Sequence, residues 1–275
     1  MNERAKRENE LSDLSDLLDA VHCMDNCKGM MLLPNDSIDL VVTSPPYDDL
    51  RTYGGHSWDF YGVAWNLARV LKPGGVIVWV VADGTDGGSE TGTSMEQALH
   101  FKRIGLNLHD TMIYQKNSYP FPPSNRYYQQ AEYMFVFSKG APNVFNGIKQ
   151  KTNWQKSTKE ISTTRQADGS TKEMRYEKGK EERLLDNIWP LDTGYGRTTS
   201  DKYAHEHPAI YPDILAARHI ETWSNKGDIV LDPFTGSGTT AKAAQELGRH
   251  YIGFEINPEY VEICQRRTAQ ATLGI

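Results

Sequence analysis

Six consecutive residues, Val76–Val81 (VIVWVV), are apolar at every position. A strand with one face in water alternates apolar and polar side chains. One without alternation must be covered on both faces, as in a parallel sheet lying between layers of helix. Further strands are expected at Asp19–Met24, Ile38–Ser44 (IDLVVTS), Leu108–Gln115, Glu132–Ser138, Asp228–Asp232 and Tyr251–Glu255. Helical spacing recurs at Leu11, Leu14, Leu17 and Leu18, across Trp58–Leu71, and over Pro212–Trp223 and Thr239–Leu247. The Trp58–Leu71 helix has Ser57 or Asp59 as its cap and Lys72-Pro73-Gly74-Gly75 as its stop. A last helix begins with Asn257 as cap and Pro258 in its first position. Strands alternating with helices predict an α/β sheet with helices on both faces.

One stretch breaks this alternation. Residues 140–205 are polar, basic and poor in apolar anchors beyond Trp154, Leu184-Leu185 and Ile188-Trp189. Between Lys149 and Arg183 stand ten Lys and Arg against six Asp and Glu, although the whole chain carries a net charge of −6. Charge is therefore segregated by segment. The expected organisation is an N-terminal arm (1–18), a first half of the α/β domain (19–139), an inserted module (140–205) and a second half (206–275). The apolar run at 75–82 is too short to cross a bilayer, and the charged N-terminus lacks the apolar stretch of a secretory signal. Three cysteines cannot build a disulfide framework, so a reducing cytoplasm and no membrane partner are expected. Cys23/Cys27 and His205/His207 make no complete four-ligand spacing, so no metal is expected.

Two strand ends disobey ordinary core logic. At Thr43-Ser44-Pro45-Pro46-Tyr47 a buried strand stops at two prolines, which lack N–H donors, fix the backbone and leave rigid acceptors beside an aromatic ring. Ligands of open α/β sheets sit outside the carboxyl ends of strands, where this loop falls. The second is Asp232-Pro233-Phe234-Thr235-Gly236-Ser237-Gly238-Thr239-Thr240, which follows the apolar DIVL and opens a helix. Its glycines let backbone approach a ligand closely, and the helix N-terminus offers free N–H groups. Glu255 ends the next strand, placed to accept from ribose hydroxyls. Residues 236–241 also fit the dinucleotide fingerprint G-x-G-x-x-A, which leaves a nicotinamide-cofactor protein as an alternative on that motif alone.

Together TSPPY and DPFTGSGTT resemble the amino-methyltransferases that use S-adenosylmethionine (AdoMet) to methylate exocyclic amino groups of DNA bases. The resemblance spans about residues 19–265, apart from the basic insert, and the motif order resembles the β-class permutation. It implies a Rossmann-like methyltransferase sheet, permuted, with an inserted target-recognition region. It implies catalytic roles for Ser44, Pro45, Pro46 and Tyr47. It also implies AdoMet contacts from Asp232, Pro233, Phe234, Gly236, Ser237, Gly238, Thr239 and Glu255, with Asp25 at the adenine. His207-Pro208-Ala209-Ile210-Tyr211-Pro212 looks like the family's H-P-x-x-F/Y-P element and adds His207 to that set. The implied substrate is double-stranded DNA with the target base flipped out of the stack. Tyr47 would stack on the base, while Ser44 and the Pro45 carbonyl accept the two amino hydrogens. None of Cys23, Cys27 or Cys264 stands where a C5-cytosine methylase needs its nucleophile. In this family Ser before Pro-Pro-Tyr favours cytosine N4, with adenine N6 the alternative and an RNA amine a more distant one. A companion restriction endonuclease and a second copy of the chain stay open as partners.

Overall fold

The computed structural model of the protein describes residues 14–47, 57–117, 125–151, 161–175, 181–194, 196–207 and 209–273. Leu11, most of the proline-rich loop after Asn117, Trp154 and Pro208 lie outside them. The chain divides into two compact units, Met1–Asn146 with Asn187–Ile275, and Gly147–Asp186.

In the larger unit the first strands are β1 (Ala20–Cys23), β2 (Ile38–Thr43) and β3 (Leu71–Val81), followed by the short pair β4 (Thr85–Asp86) and β5 (Ser89–Glu90). Then come β6 (Asn107–Lys116) and β7 (Ala131–Ser138). The smaller unit holds β8 (Lys149–Lys151), β9 (Ile161–Arg165), β10 (Thr171–Arg175) and β11 (Glu182–Leu184) as two antiparallel pairs, β8 with β11 and β9 with β10. The larger unit resumes with β12 (Ile188–Leu191), β13 (Ile229–Asp232) and β14 (His250–Glu255). Its helices are α1 (Leu14–Leu17), α2 (Asn26–Met31), α3 (Phe60–Val70), α4 (Thr93–Arg103), α5 (Asp213–Trp223), α6 (Thr239–Glu246) and α7 (Pro258–Leu273).

One sheet of eight strands organises the larger unit, in the order β1-β14-β13-β2-β3-β7-β6-β12. Every neighbouring pair is parallel except those made by β7, which runs against both β3 and β6. The doubly apolar β3 lies near the middle, as its composition requires. Its side chains alternate between faces. Ile77, Trp79 and Val81 join Met30, Val63, Leu67, Ala98 and Phe101, so α2, α3 and α4 cover that face. The alternate positions, Val76, Val78 and Val80, are equally buried on the opposite face. There the His219 ring of α5 meets Met134 of β7.

Several expectations shift by a residue or two, and three change in kind. The helix expected across Trp58–Leu71 ends at Val70, and Leu71 already pairs with Ile38. The Lys72–Gly75 stop thus lies within β3, where Gly74 N donates to Lys139 O (2.6 Å). The compact inserted unit is 147–186, narrower than 140–205, because Ile188–Leu191 forms the edge of the main sheet beside β6. Trp189 anchors that edge, 5% exposed, against the His219 ring and the Arg218 guanidinium. Helices α2 and α4 have no counterpart in the sequence reading. The buried face of α4 is part polar, Ser94 and Gln97 beside Ala98 and Phe101, which blurs its apolar period. These polar groups are satisfied internally: Trp79 Nε1 donates to Gln97 Oε1 (2.8 Å), and Ser94 donates to Asp83 from both its amide and its hydroxyl.

Candidate active site

The sheet order aligns a row of strand ends. From one side to the other these are the ends of β1, β14, β13, β2 and β3, then the start of the reversed β7 and the ends of β6 and β12. A cavity of about 490 Å³ runs along this row. Asp25 and Glu255 line one end, Pro233–Ser237 and Thr239 with Ser44–Tyr47 the middle, and Tyr114, Lys116 and Glu132 the other end. The two proline- and glycine-marked loops leave adjacent parallel strands, with Val230 opposite Leu40 and Leu231 opposite Val41. Sequence distance is cancelled by strand adjacency.

The loop after β13 is held from several sides. Glu255 Oε2 accepts from Gly236 N and Oε1 from Asn257 N, both at 2.9 Å. A carboxylate oxygen accepts more than one hydrogen bond, so ligand hydroxyls can join these donors. Gly236 has φ +50, and a Cβ there would stand 2.8 Å from His207 Nε2. Gly238 has φ +86, and its Cβ would lie 2.2 Å from Cys264 Sγ. Beneath the loop the fully buried Arg267 donates to Ser237 O (3.1 Å), to Asp201 Oδ2 (3.0 Å) and to Asp213 Oδ1 (2.7 Å). Lys242 Nζ donates to the same Asp201 oxygen at 2.8 Å. Burial alone would push the Asp201 carboxyl up, but the hydrogen bonds from Lys242 and Arg267 hold it below its ordinary value.

The loop after β2 places Ser44 Oγ 2.8 Å from the Tyr47 hydroxyl. Tyr47 OH donates to Glu132 Oε2 (3.0 Å), and Lys116 Nζ donates to Glu132 Oε1 (2.7 Å). Trp58 stands edge-on to Phe234, centroids 4.9 Å apart, and closes the wall between the two loops. His207 lies edge-on to Tyr260 at 4.3 Å, while its Nδ1 accepts from Ala209 N (3.1 Å). Among the described residues no cluster of three His, Cys, Asp or Glu could hold a metal, and no helix is long and apolar enough to cross a membrane.

A cavity with one acidic end, a close-approach glycine loop and a proline-stiffened acceptor loop suits a small cofactor beside a planar polar substrate. The family model for the N6/N4 DNA methylases matches residues 38–266, which include both loops. The chain belongs to the DNA methylase family. The methylase is 53% identical over 236 residues to the orphan methyltransferase M.BamHII of Bacillus amyloliquefaciens, covering 84% of this chain and 88% of that one. Type II methyltransferase M.SmaI of Serratia marcescens is 26% identical over 277 residues, 86% of this chain and 85% of its own. Among solved structures, the PvuII cytosine-N4-specific DNA methyltransferase superposes with a TM-score of 0.64 at 20% identity, over 92% of this chain and 89% of that one. A Thermus thermophilus protein described as a DNA modification methylase, complexed with S-adenosyl-L-methionine, gives 0.61 at 25% identity, over 93% and 97%. The permuted, Rossmann-like methyltransferase sheet expected from the sequence is the fold observed. Enzymes of this family transfer a methyl group from AdoMet to an exocyclic amine of DNA.

Of the residues singled out in the methylase sequence, Asp25, Ser44, Pro45, Pro46, Tyr47, His207, Pro233, Phe234, Gly236, Ser237, Thr239 and Glu255 line one cavity. Asp232 and Gly238 are not part of that lining. Asp232 is 3% exposed and accepts from Thr43 Oγ1 and Phe234 N. Gly238 is the left-handed cap of α6. Both shape the loop from behind. Asp25 lines the cavity while its Oδ1 caps α2 by accepting from Lys28 N (3.0 Å). The sequence reading missed Lys116, Glu132 and Tyr114. For Lys116 and Glu132 the one signal was opposite charge at what prove to be adjoining strand ends, and only the pairing of Tyr114 with Glu132 gives it meaning.

Proposed function

We propose that this DNA methylase transfers its methyl group to the N4 amine of a flipped cytosine in duplex DNA. The observation that carries the reading is Ser44: a neutral hydroxyl acceptor opens the catalytic loop and shares a cavity with the loop after β13. Serine before Pro-Pro-Tyr, with Ala209 in the His207–Pro212 element, leans toward cytosine rather than adenine N6. AdoMet when bound supplies an electrophilic methyl sulfonium. Glu255 suits its ribose hydroxyls, Asp25 its adenine, and the 233–239 backbone its remaining polar groups, with Phe234 supplying an apolar face.

Ser44 Oγ and the Pro45 carbonyl accept the two amino hydrogens, which turns the nitrogen lone pair toward the methyl. Tyr47 packs on the base face. The amine nitrogen would take the methyl from the sulfur of AdoMet, and the proton that nitrogen releases would pass to water. The enzyme forms no covalent bond, so orientation and fixed hydrogen-bonding groups supply the rate. The basic 147–186 unit, as the core of the 140–205 insert, is assigned to phosphate and base-edge contacts. Likeness to an orphan methyltransferase favours action without a paired nuclease.

Transfer of tritium from labelled AdoMet to duplex DNA, followed by nucleoside chromatography, tests the reading. Label in N4-methylcytosine, lost in Ser44→Ala and Tyr47→Ala, is expected. Label in N6-methyladenine would overturn the cytosine assignment, and label in RNA alone would overturn DNA as the substrate.

A further inference from the structure

Glu132 closes a chain of hydroxyls that begins at the proposed acceptor. Ser44 Oγ meets Tyr47 OH at 2.8 Å, Tyr47 OH meets Glu132 Oε2 at 3.0 Å, and Lys116 Nζ holds Glu132 Oε1 at 2.7 Å. Each hydroxyl carries one proton, and a carboxylate only accepts. Tyr47 therefore spends its proton on Glu132. The contact between Ser44 and Tyr47 can then be made only by the serine proton, donated to the phenolic oxygen. Ser44 Oγ is left with lone pairs alone to offer the cavity.

This direction matters because a serine hydroxyl is ambivalent. Pointed the other way, its proton would face the amino hydrogens instead of accepting one. An adenine or cytosine amine presents two donors, so a donor at Ser44 would repel the substrate group it must hold. Glu132 is 12% and Lys116 28% exposed at their side chains, so the pair stands at the cavity wall with limited water to compete. Its position follows from the fold. Glu132 stands opposite Tyr114 at the start of the reversed β7, and Lys116 ends β6, which brings both to the strand-end row that carries Ser44.

We propose that Glu132, oriented by Lys116, is a positioning residue for methyl transfer. It acts through Tyr47 to set Ser44 as an obligatory acceptor. This rests on the reading of Ser44 as the amine acceptor. Glu132→Gln keeps the shape and changes the direction: the amide oxygen turns to Lys116, and the amide NH₂ donates to Tyr47. Tyr47 then donates to Ser44, whose proton turns into the cavity. Removing the ammonium as well, in Lys116→Met/Glu132→Gln, frees the amide oxygen to face Tyr47 again and restores the original direction.

The experiment measures single-turnover methyl transfer to duplex DNA, with AdoMet affinity by calorimetry and thermal midpoints in parallel. Glu132→Gln should slow transfer at least about tenfold, less than the roughly hundredfold or more that follows outright loss of an aimed group. AdoMet affinity should stay within about twofold, because ground-state binding and transition-state stabilisation are separable. Lys116→Met/Glu132→Gln should recover most of the loss. In a Tyr47→Phe background, where the chain is cut, Glu132→Gln should have no further effect. Equal rates in wild type and Glu132→Gln, an equal loss in the Tyr47→Phe background, or no recovery in the double variant would each overturn the inference. If Glu132→Gln also lowers the thermal midpoint, the double variant decides. A wild-type protein that transfers no methyl to DNA overturns the functional reading and the inference with it.

Discussion

The Thr43 hydroxyl donates a 2.6 Å hydrogen bond to Asp232 Oδ1, joining the last residues of two strands that stand 189 positions apart in the chain. Each residue is the root of one of the two loops that line the cavity. Thr240 Oγ1 adds a second tie, to Val42 O at 3.0 Å. The distance between the 44–47 and 233–239 loops is thus set by buried polar contacts at their bases, and the loops themselves need carry little of that constraint.

Replacing Thr43 with valine keeps the shape and removes the donor. Asp232 would lose one of its hydrogen bonds in a buried setting, and the unfolding free energy should fall by about 1–3 kcal/mol. Urea denaturation measures this. A change too small to resolve would mean that the tie contributes nothing.

Asp232 also predicts a pH dependence. Burial pushes its carboxyl up from 3.8 to about 6, against the opposing pull of hydrogen bonds from Thr43 and Phe234. The folded state therefore binds the proton more tightly than the unfolded chain. The stability linked to that proton is full below pH 3.8 and is lost as pH rises through about 6. Asp232→Asn carries no such ionisation. Its stability relative to wild type should rise between about pH 4 and 7, read by denaturation at each pH, and a flat difference would contradict the assignment.

At Gly238 the left-handed backbone and the nearness of Cys264 leave no room for a methyl group. Gly238→Ala should displace the Ser237–Thr239 turn, since a non-glycine residue in such a conformation already costs on the order of 1–3 kcal/mol before the clash. AdoMet affinity measured by calorimetry should drop at least about tenfold, the equivalent of about 1.4 kcal/mol. Combining the change with Cys264→Gly should recover part of it by removing the atom struck.

Arg267 sits wholly buried between Asp201 and Asp213. Arg267→Ala would leave Asp213 without its closest ion-pair partner and Asp201 with Lys242 alone, a change worth up to about 3–5 kcal/mol when a buried pair is broken from one side. A fall in thermal midpoint together with weaker AdoMet binding is expected, because the same guanidinium donates to Ser237 O.

Much of this arrangement was legible in the sequence because the relevant signals are local. Pro45-Pro46 and the glycines at 236 and 238 mark strand ends through backbone chemistry, and Pro258 marks a helix start, where Asn257 Oδ1 indeed accepts from Glu259 N (2.9 Å). What escaped depends on partners distant in the chain. Ser94 and Gln97 break the period of α4 because Asp83 and Trp79 satisfy them. Asp232 opens the motif expected to hold the cofactor, yet its bonds go to Thr43 and to its own loop. Glu132 shows its use only once β7 is reversed beside β6.

Strand order has a further consequence, for biogenesis. The sheet neighbour of β1 is β14, and β2 takes one of its two neighbours from β13. A chain leaving the ribosome thus holds β2, open along one edge, until residues 229–232 of β13 have been made. Such an edge invites pairing with other chains, and contacts so far apart in sequence form slowly. The ordering that places the glycine-rich motif last leaves this edge without its native neighbour for most of the chain's synthesis.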